Sequence, residues 1–166
     1  MIVKIRNYIN GIHNLEFEKN AEAMGLKEPF NGKVKLSTKM DKSSHQIVFD
    51  CYLECDSSFE CDRCTVEYSE ILKSNFELVY IFDEKETHSD NINVNFISPE
   101  ADKIDLTKDV IEYCKLSIPL KKLCNENCKG LCSICGQNLN EKNCNCKEEK
   151  IDPKWEPLLK LKDKLN

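Results

Sequence analysis

Eight of the eleven cysteines in this 166-residue chain fall into four close pairs: Cys61-x2-Cys64, Cys124-x3-Cys128, Cys132-x2-Cys135 and Cys144-x-Cys146. Eight thiols in four pairs is the arithmetic of two tetrahedral zinc sites with four cysteines each. Two cysteines separated by two residues can turn both sulfurs onto one metal while backbone N–H groups point back at them. A glycine directly after the second cysteine permits the φ > 0 that this turn requires. In the string CSICG, Gly136 stands in that place. The spacing predicts zinc on Cys132, Cys135, Cys144 and Cys146. The other four leave alternatives open. Cys61 and Cys64 lie sixty residues before Cys124 and Cys128. These pairs complete a second four-thiolate site together, or stand as a reactive dithiol and free thiols, or share one site with different partners. The expected cofactor is thus zinc, in one or two four-cysteine sites.

Redox compartment bears on that choice. The first twenty residues, MIVKIRNYINGIHNLEFEKN, carry Lys4 and Arg6 with no apolar run behind them, so no secretory signal is expected and a cytoplasmic location is the default. There thiols stay reduced, and a dense cysteine pattern reads as a metal site before it reads as a disulfide framework. Eleven is also odd, so the cysteines cannot all pair within one chain. No apolar stretch approaches the roughly 20 residues that a membrane-spanning helix needs, and no membrane partner is expected.

Along the chain, residues 33–41 alternate Val34, Leu36, Thr38 and Met40 against Lys33, Lys35, Ser37 and Lys39, the period of a half-buried strand. After the polar turn Asp41-Lys42-Ser43-Ser44, a second strand carries Ile47, Phe49, Cys51, Leu53 and Cys55 in phase. A third, SNFELVYIF, carries Phe76, Leu78, Tyr80 and Phe82. These strands imply an antiparallel sheet of at least three. Residues 83–95 are polar and aperiodic and read as a mobile loop. In IDLTKDVIEYCKLSIPL, Thr107 is placed to cap a helix whose apolar stripe is Val110, Ile111, Cys114 and Leu116. Trp155, Leu158, Leu159, Leu161 and Leu165 suggest a short terminal helix. The expected fold class is α+β, an antiparallel β-rich body with one or two helices and a C-terminal cysteine-rich zinc-binding segment. Residues 1–120 form the body, with a helix near 107–117. Residues 121–166 form the cysteine cluster and a short helix packed on the body. Cys51, Cys55 and Cys114 fall on apolar faces and read as small buried hydrophobes.

The chemistry available is limited. Four thiolates around a metal leave no open position for water, so a closed site of this kind is structural. Its energetic role is large, because Leu131, Ile134 and Leu139 are the only large apolar residues of the cluster, and metal binding on the order of 10 kcal/mol replaces the missing core. His13, His45 and His88 are scattered in polar surroundings. No phosphate-binding glycine loop, HExxH or GxSxG string occurs, so no enzyme and no small-molecule substrate are expected. The net charge of −5 argues against coating nucleic acid by bulk positive potential. It divides unevenly, however, with −8 over residues 1–120 and +3 over 121–166.

The order CDRC, IDLTKDVIEYCKLSIPL, LCNENCKGLCSICGQNLN with a close CxC, and then DPKW before a leucine-rich end resembles the bacterial YceD family of large ribosomal RNA subunit accumulation proteins. The resemblance runs from about Leu53 to the C-terminus. It implies a cytoplasmic, non-catalytic role in 23S rRNA accumulation or processing and in ribosome biogenesis, and it assigns CDRC and the tail cysteines to the family's characteristic positions. Two departures are visible: Lys154 stands where arginine is expected, and Ser133-Ile134 where Pro-Val is common. Lysine offers a phosphate a point charge rather than a fork.

Two functions compete on these grounds. The first is an assembly factor touching ribosomal RNA, the large subunit or an RNA-processing protein, with Arg63, Lys121, Lys122, Lys129, Lys154 and Trp155 as contact residues. The second is a redox-regulated zinc chaperone or thiol sensor, which the CxxC and CxC spacings allow. An RNA-modifying enzyme has no base, nucleophile or open metal position to name.

Overall fold

The computed structural model describes residues 1–82 and 94–146. Strand β1 (Ile2–Val3) is followed by β2 (Gly11–Asn20), β3 (Phe30–Lys42), β4 (Gln46–Glu60), β5 (Glu67–Ile81), β6 (Val94–Phe96), β7 (Ile104–Asp105) and helix α1 (Thr107–Leu116). Strands β2 to β6 form one sheet in sequence order, and β1 pairs with β7 in a separate two-stranded ribbon. Alternation explains the main sheet: Val34, Leu36 and Met40 of β3, Phe49, Leu53 and Cys55 of β4, and Leu78 of β5 are each at most 2% exposed. They meet Val110 and Cys114 of α1, and Tyr113 stacks on Phe76 of β5 at 3.8 Å. Cys51, Cys55 and Cys114 are buried in this core.

The two central strands are longer than their periodicity suggested. β4 and β5 pair without a break from Gln46↔Ile81 to Glu60↔Glu67. Fifteen residues at about 3.3 Å each make a hairpin of roughly 50 Å. Its turn is the CDRC segment, so the first cysteine pair sits at the hairpin tip, well away from the centre of the sheet.

Several expectations are corrected. Asp41 and Lys42 are strand residues opposite Val48 and Ile47. The turn is Ser43 to His45, closed by the Ser43 N–H donating to the Gln46 carbonyl at 2.9 Å. Residues 94 and 95, read as loop, belong to β6, which pairs with β5 in parallel, so the sheet is not wholly antiparallel. Residues 83–93 and the terminal helix expected near Trp155 lie outside the described residues. β2 went unread because only Leu15 and Phe17 of its apolar side are half-buried at an edge. Leu116, placed in the helix stripe, is 74% exposed because α1 ends there and its last turn passes the edge of the core. Thr107 does not cap the helix with its own side chain. It is the first helical residue, and the Asp105 carboxylate accepts its N–H at 3.0 Å and its hydroxyl at 2.5 Å in an Asx turn. No described helix is long and apolar enough to cross a membrane.

The Thr107 hydroxyl and N–H hold the Asp105 carboxyl well below the usual carboxylate range, at about 2. A depressed acid stabilises the fold above its unfolded pKa, near 4, and loses that contribution as pH falls through the folded value. Asp105→Ala is expected to lower stability by about 1 kcal/mol at neutral pH. In urea titrations its deficit from wild type should narrow between about pH 4 and pH 2; a deficit constant with pH would exclude this role.

Candidate metal centres

The structure gathers the eight paired thiols into two groups: Cys61, Cys64, Cys124 and Cys128, and Cys132, Cys135, Cys144 and Cys146, with the sulfurs of each group within 4.8 Å of one another. A tetrahedral metal with bonds of about 2.3 Å to sulfur requires S···S edges of about 3.8 Å. Cys61 and Cys128 stand 3.8 Å apart and Cys64 and Cys124 3.5 Å, so the first group already has the dimensions of a four-thiolate cage. Either group could hold a metal ion.

Both groups are built on the same local turn. In the first, the Thr65 N–H donates to the Cys61 carbonyl at 2.9 Å and the Cys61 N–H to the Val66 carbonyl at 3.0 Å. In the second, Gly136 donates to the Cys132 carbonyl at 2.9 Å and Cys132 to the Gln137 carbonyl at 2.8 Å. The residue after the second cysteine is left-handed in both, with φ 56° at Thr65 and 71° at Gly136. Glycine adopts that conformation freely. A β-branched threonine does so only where the surroundings over-determine it.

Backbone donors converge on the first sulfur of each turn. The N–H groups of Cys124, Arg63 and Cys64 hold the Cys61 thiol down to about 6, and those of Cys135 and Ile134 do the same for Cys132. Within each group the remaining protons are crowded onto other thiols. A hydrogen bond with Cys64 pushes Cys124 up to about 12, and one with Cys135 pushes Cys146 up to about 12. Each group therefore has one sulfur already preferring the charged state that a metal requires.

The two groups differ in depth. Cys61, Cys64 and Cys128 are 1–4% exposed, with Tyr68 and Leu123 packed on them, and Cys124 is the outermost of its four. In the second group Cys135 and Cys146 are exposed. Leu131 and Ile134 are also exposed, so apolar burial contributes little to the fold of this segment.

Hydrogen bonds knit the segment to the hairpin tip. The Asp62 N–H donates to the Lys122 carbonyl and the Lys122 N–H to the Asp62 carboxylate, both at 2.8 Å. The Leu131 N–H donates to the Arg63 carbonyl at 3.0 Å, and the Arg63 guanidinium to the Cys128 carbonyl at 2.8 Å. Gly130 makes this approach possible, since a Cβ there would lie 3.0 Å from the Arg63 carbonyl oxygen. Asn140, between the cysteines of the second group, donates its side-chain amide to Cys128 of the first at 3.3 Å and accepts the Lys129 N–H at 2.8 Å. Sequence reasoning missed Thr65, Gly130 and Asn140. The signals were the repeat of a cysteine turn at 61–66 and 132–137 and the asparagines of QNLN.

Among the contact residues read from the sequence, Lys121 and Lys129 are exposed, Lys122 lies over the Phe59 ring at 5.7 Å, and Arg63 is held as above. Lys154 and Trp155 lie outside the described residues.

A strand-rich α+β body carrying two four-cysteine groups at one hairpin tip defines the class of protein. The chain belongs to the YceD family, described as large ribosomal RNA subunit accumulation protein YceD, whose profile matches residues 49–162. Among characterised-name relatives, it is 25% identical to large ribosomal RNA subunit accumulation protein YCED homolog 1, chloroplastic, of Arabidopsis thaliana, over 89% of this chain and 56% of that protein. The maize protein of the same name is 47% identical over 32% of this chain and 19% of its own length. An uncharacterized protein of Mycobacterium tuberculosis is 34% identical over 35% of this chain and 28% of its own. The chain thus spans about half the length of the Arabidopsis relative. No solved structure matches it.

The shared turn makes a reciprocal prediction. Thr65→Gly should raise the stability of metal-loaded protein by about 1 kcal/mol, and Gly136→Thr should lower it by at least as much. Thermal melts check both; a loss on Thr65→Gly would show that the threonine is not strained.

Proposed function

We propose that this chain is a non-catalytic factor in the accumulation or processing of 23S rRNA and in assembly of the large ribosomal subunit, with a structural zinc ion in each four-cysteine group. Membership of the family across residues 49–162 carries the ribosomal part of this reading. The sulfur spacing supports the metal, since tetrahedral four-sulfur sets suit zinc. Cys61, Cys64, Cys124 and Cys128 would hold one ion and Cys132, Cys135, Cys144 and Cys146 the other. The metal supplies cross-links in place of a hydrophobic core and offers no open coordination position to substrate. In this reading residues 121–166 are a metal-folded appendage that the first ion ties to the 1–120 body. The cytoplasmic setting is part of the proposal; the Arabidopsis and maize relatives are called chloroplastic.

Direct contact with ribosomal RNA would fall to the exposed Lys121 and Lys129, with Arg63 and Lys122 using donors that their internal partners leave free. A second reading, a thiol sensor, is favoured by the exposure of Cys135 and Cys146. Peroxide that ejects metal and switches on suppression of aggregation would support it; oxidised protein without such activity removes it.

Elemental analysis should find two zinc ions per chain, falling to one in Cys61→Ser/Cys64→Ser; one in both proteins would refute the link between hairpin and tail. Affinity for 23S rRNA should fall steeply with salt, and Lys121→Ala/Lys129→Ala should reduce the log–log slope by about 1 for each lysine. Absence of binding at low salt sinks direct RNA contact and leaves a protein partner.

A further inference from the structure

Beside the first cysteine group, residues 28–31, the β4–β5 hairpin tip and the stretch after α1 line a groove of about 590 Å³. Pro29, Phe59 and Ile118 supply its apolar lining. Two residues to either side of Ile118 in sequence, Leu116 is 74% exposed and Leu120 fully exposed. The charged residues of the lining are Glu28, Glu60, Glu67 and Lys122. Lys122 holds its ammonium over the Phe59 ring at 5.7 Å. Glu60 and Glu67 stand directly opposite one another as the last pair of the hairpin, where like charges repel and cost the fold stability. Among the described residues no ion pair or hydrogen bond engages the carboxylate of Glu28, Glu60 or Glu67. Two facing carboxylates without an internal cation are suited to one brought from outside.

We propose that this groove docks a basic segment of a partner protein, with a large apolar side chain against Pro29, Phe59 and Ile118 and lysines or arginines on Glu60, Glu67 and Glu28. Charge selects this occupant. The three carboxylates belong to a stretch, residues 1–120, that carries −8, so phosphates are repelled from the groove. A second copy of this chain brings a net charge of −5 and is repelled in the same way. An inorganic cation or a polyamine would neutralise the carboxylates and leave the apolar lining in water. A basic segment with an apolar anchor satisfies both features, since the anchor is buried at the centre and the cations lie on the rim. Protein is thereby assigned to the groove, and RNA contact, if direct, to the exposed Lys121 and Lys129. The proposal stands on the groove alone, so its failure leaves the ribosomal reading untouched.

The test titrates the full-length, metal-loaded protein into a fluorescein-labelled synthetic peptide with a central pair of leucine and tryptophan flanked by lysines and arginines. Fluorescence anisotropy should show saturable binding that weakens about tenfold when serines replace the central pair. Glu60→Gln/Glu67→Gln should weaken binding several-fold and yet melt at or above the wild-type temperature, because the cross-strand repulsion is gone. Glu16→Gln/Glu77→Gln removes the same two charges from strands outside the groove and should leave affinity unchanged. Absence of peptide binding at low salt overturns the proposal. So does equal weakening by the two double variants, which would reduce the effect to bulk charge, or equal affinity for the serine peptide, which would leave the apolar lining without a role. Displacement of the peptide by 23S rRNA would assign the groove to RNA, and peptide affinity that falls as the protein self-associates would assign it to a second copy; either result also overturns the proposal.

Discussion

The meeting of Cys61 and Cys64 with Cys124 and Cys128 is the contact on which the rest of this structure depends. It joins residues some sixty positions apart, at the end of a hairpin too long and narrow to hold a tail by apolar burial. The body has a conventional core between sheet and helix, whereas the segment after Lys121 exposes Leu131 and Ile134 and is organised by sulfur. With no metal, four thiols at these distances set neighbouring charges against one another, and the protons are shared unequally: Cys61 low, Cys124 high. A divalent ion bound there would remove that conflict by neutralising the sulfurs together, which is the energetic weight the proposed metal would give the cluster.

Around this contact the backbone is arranged twice in the same way. The turns at 61–66 and 132–137 share hydrogen-bond pattern and left-handed residue, yet one closes a β-hairpin and the other stands in a segment with only an isolated bridge. The motif is therefore a local solution to aiming N–H groups at sulfur, independent of what lies around it. Asn140 then couples the two groups, since it lies between cysteines of one and donates to a sulfur of the other. Disturbance of the exposed group can in this way reach the buried one.

Charge separates the two parts further. The body is acidic and the tail mildly basic. A net charge of −5 argues against holding nucleic acid by bulk potential, so the proposed RNA contact rests on a few cations. Arg63 and Lys122 show why sequence counts of cations mislead, because their side chains reach a carbonyl and an aromatic ring within the chain.

The alternation of Val34, Leu36 and Met40 and of Phe49, Cys51 and Leu53 made the sheet legible, because side-chain burial there follows a period of two whatever the partner strand. The pairing of cysteines within each turn was equally legible, since it depends on a few adjacent bonds. Edge strand β2 and parallel strand β6 were not, as their apolar residues are few and half-exposed. By itself the sequence determined that eight thiols would form close pairs suited to a tetrahedral metal. That Cys61 and Cys64 share a site with Cys124 and Cys128 was decided only by tertiary structure, because the unbroken β4–β5 register carries CDRC to a place where the chain returning from α1 can bring Cys124 and Cys128 beside it.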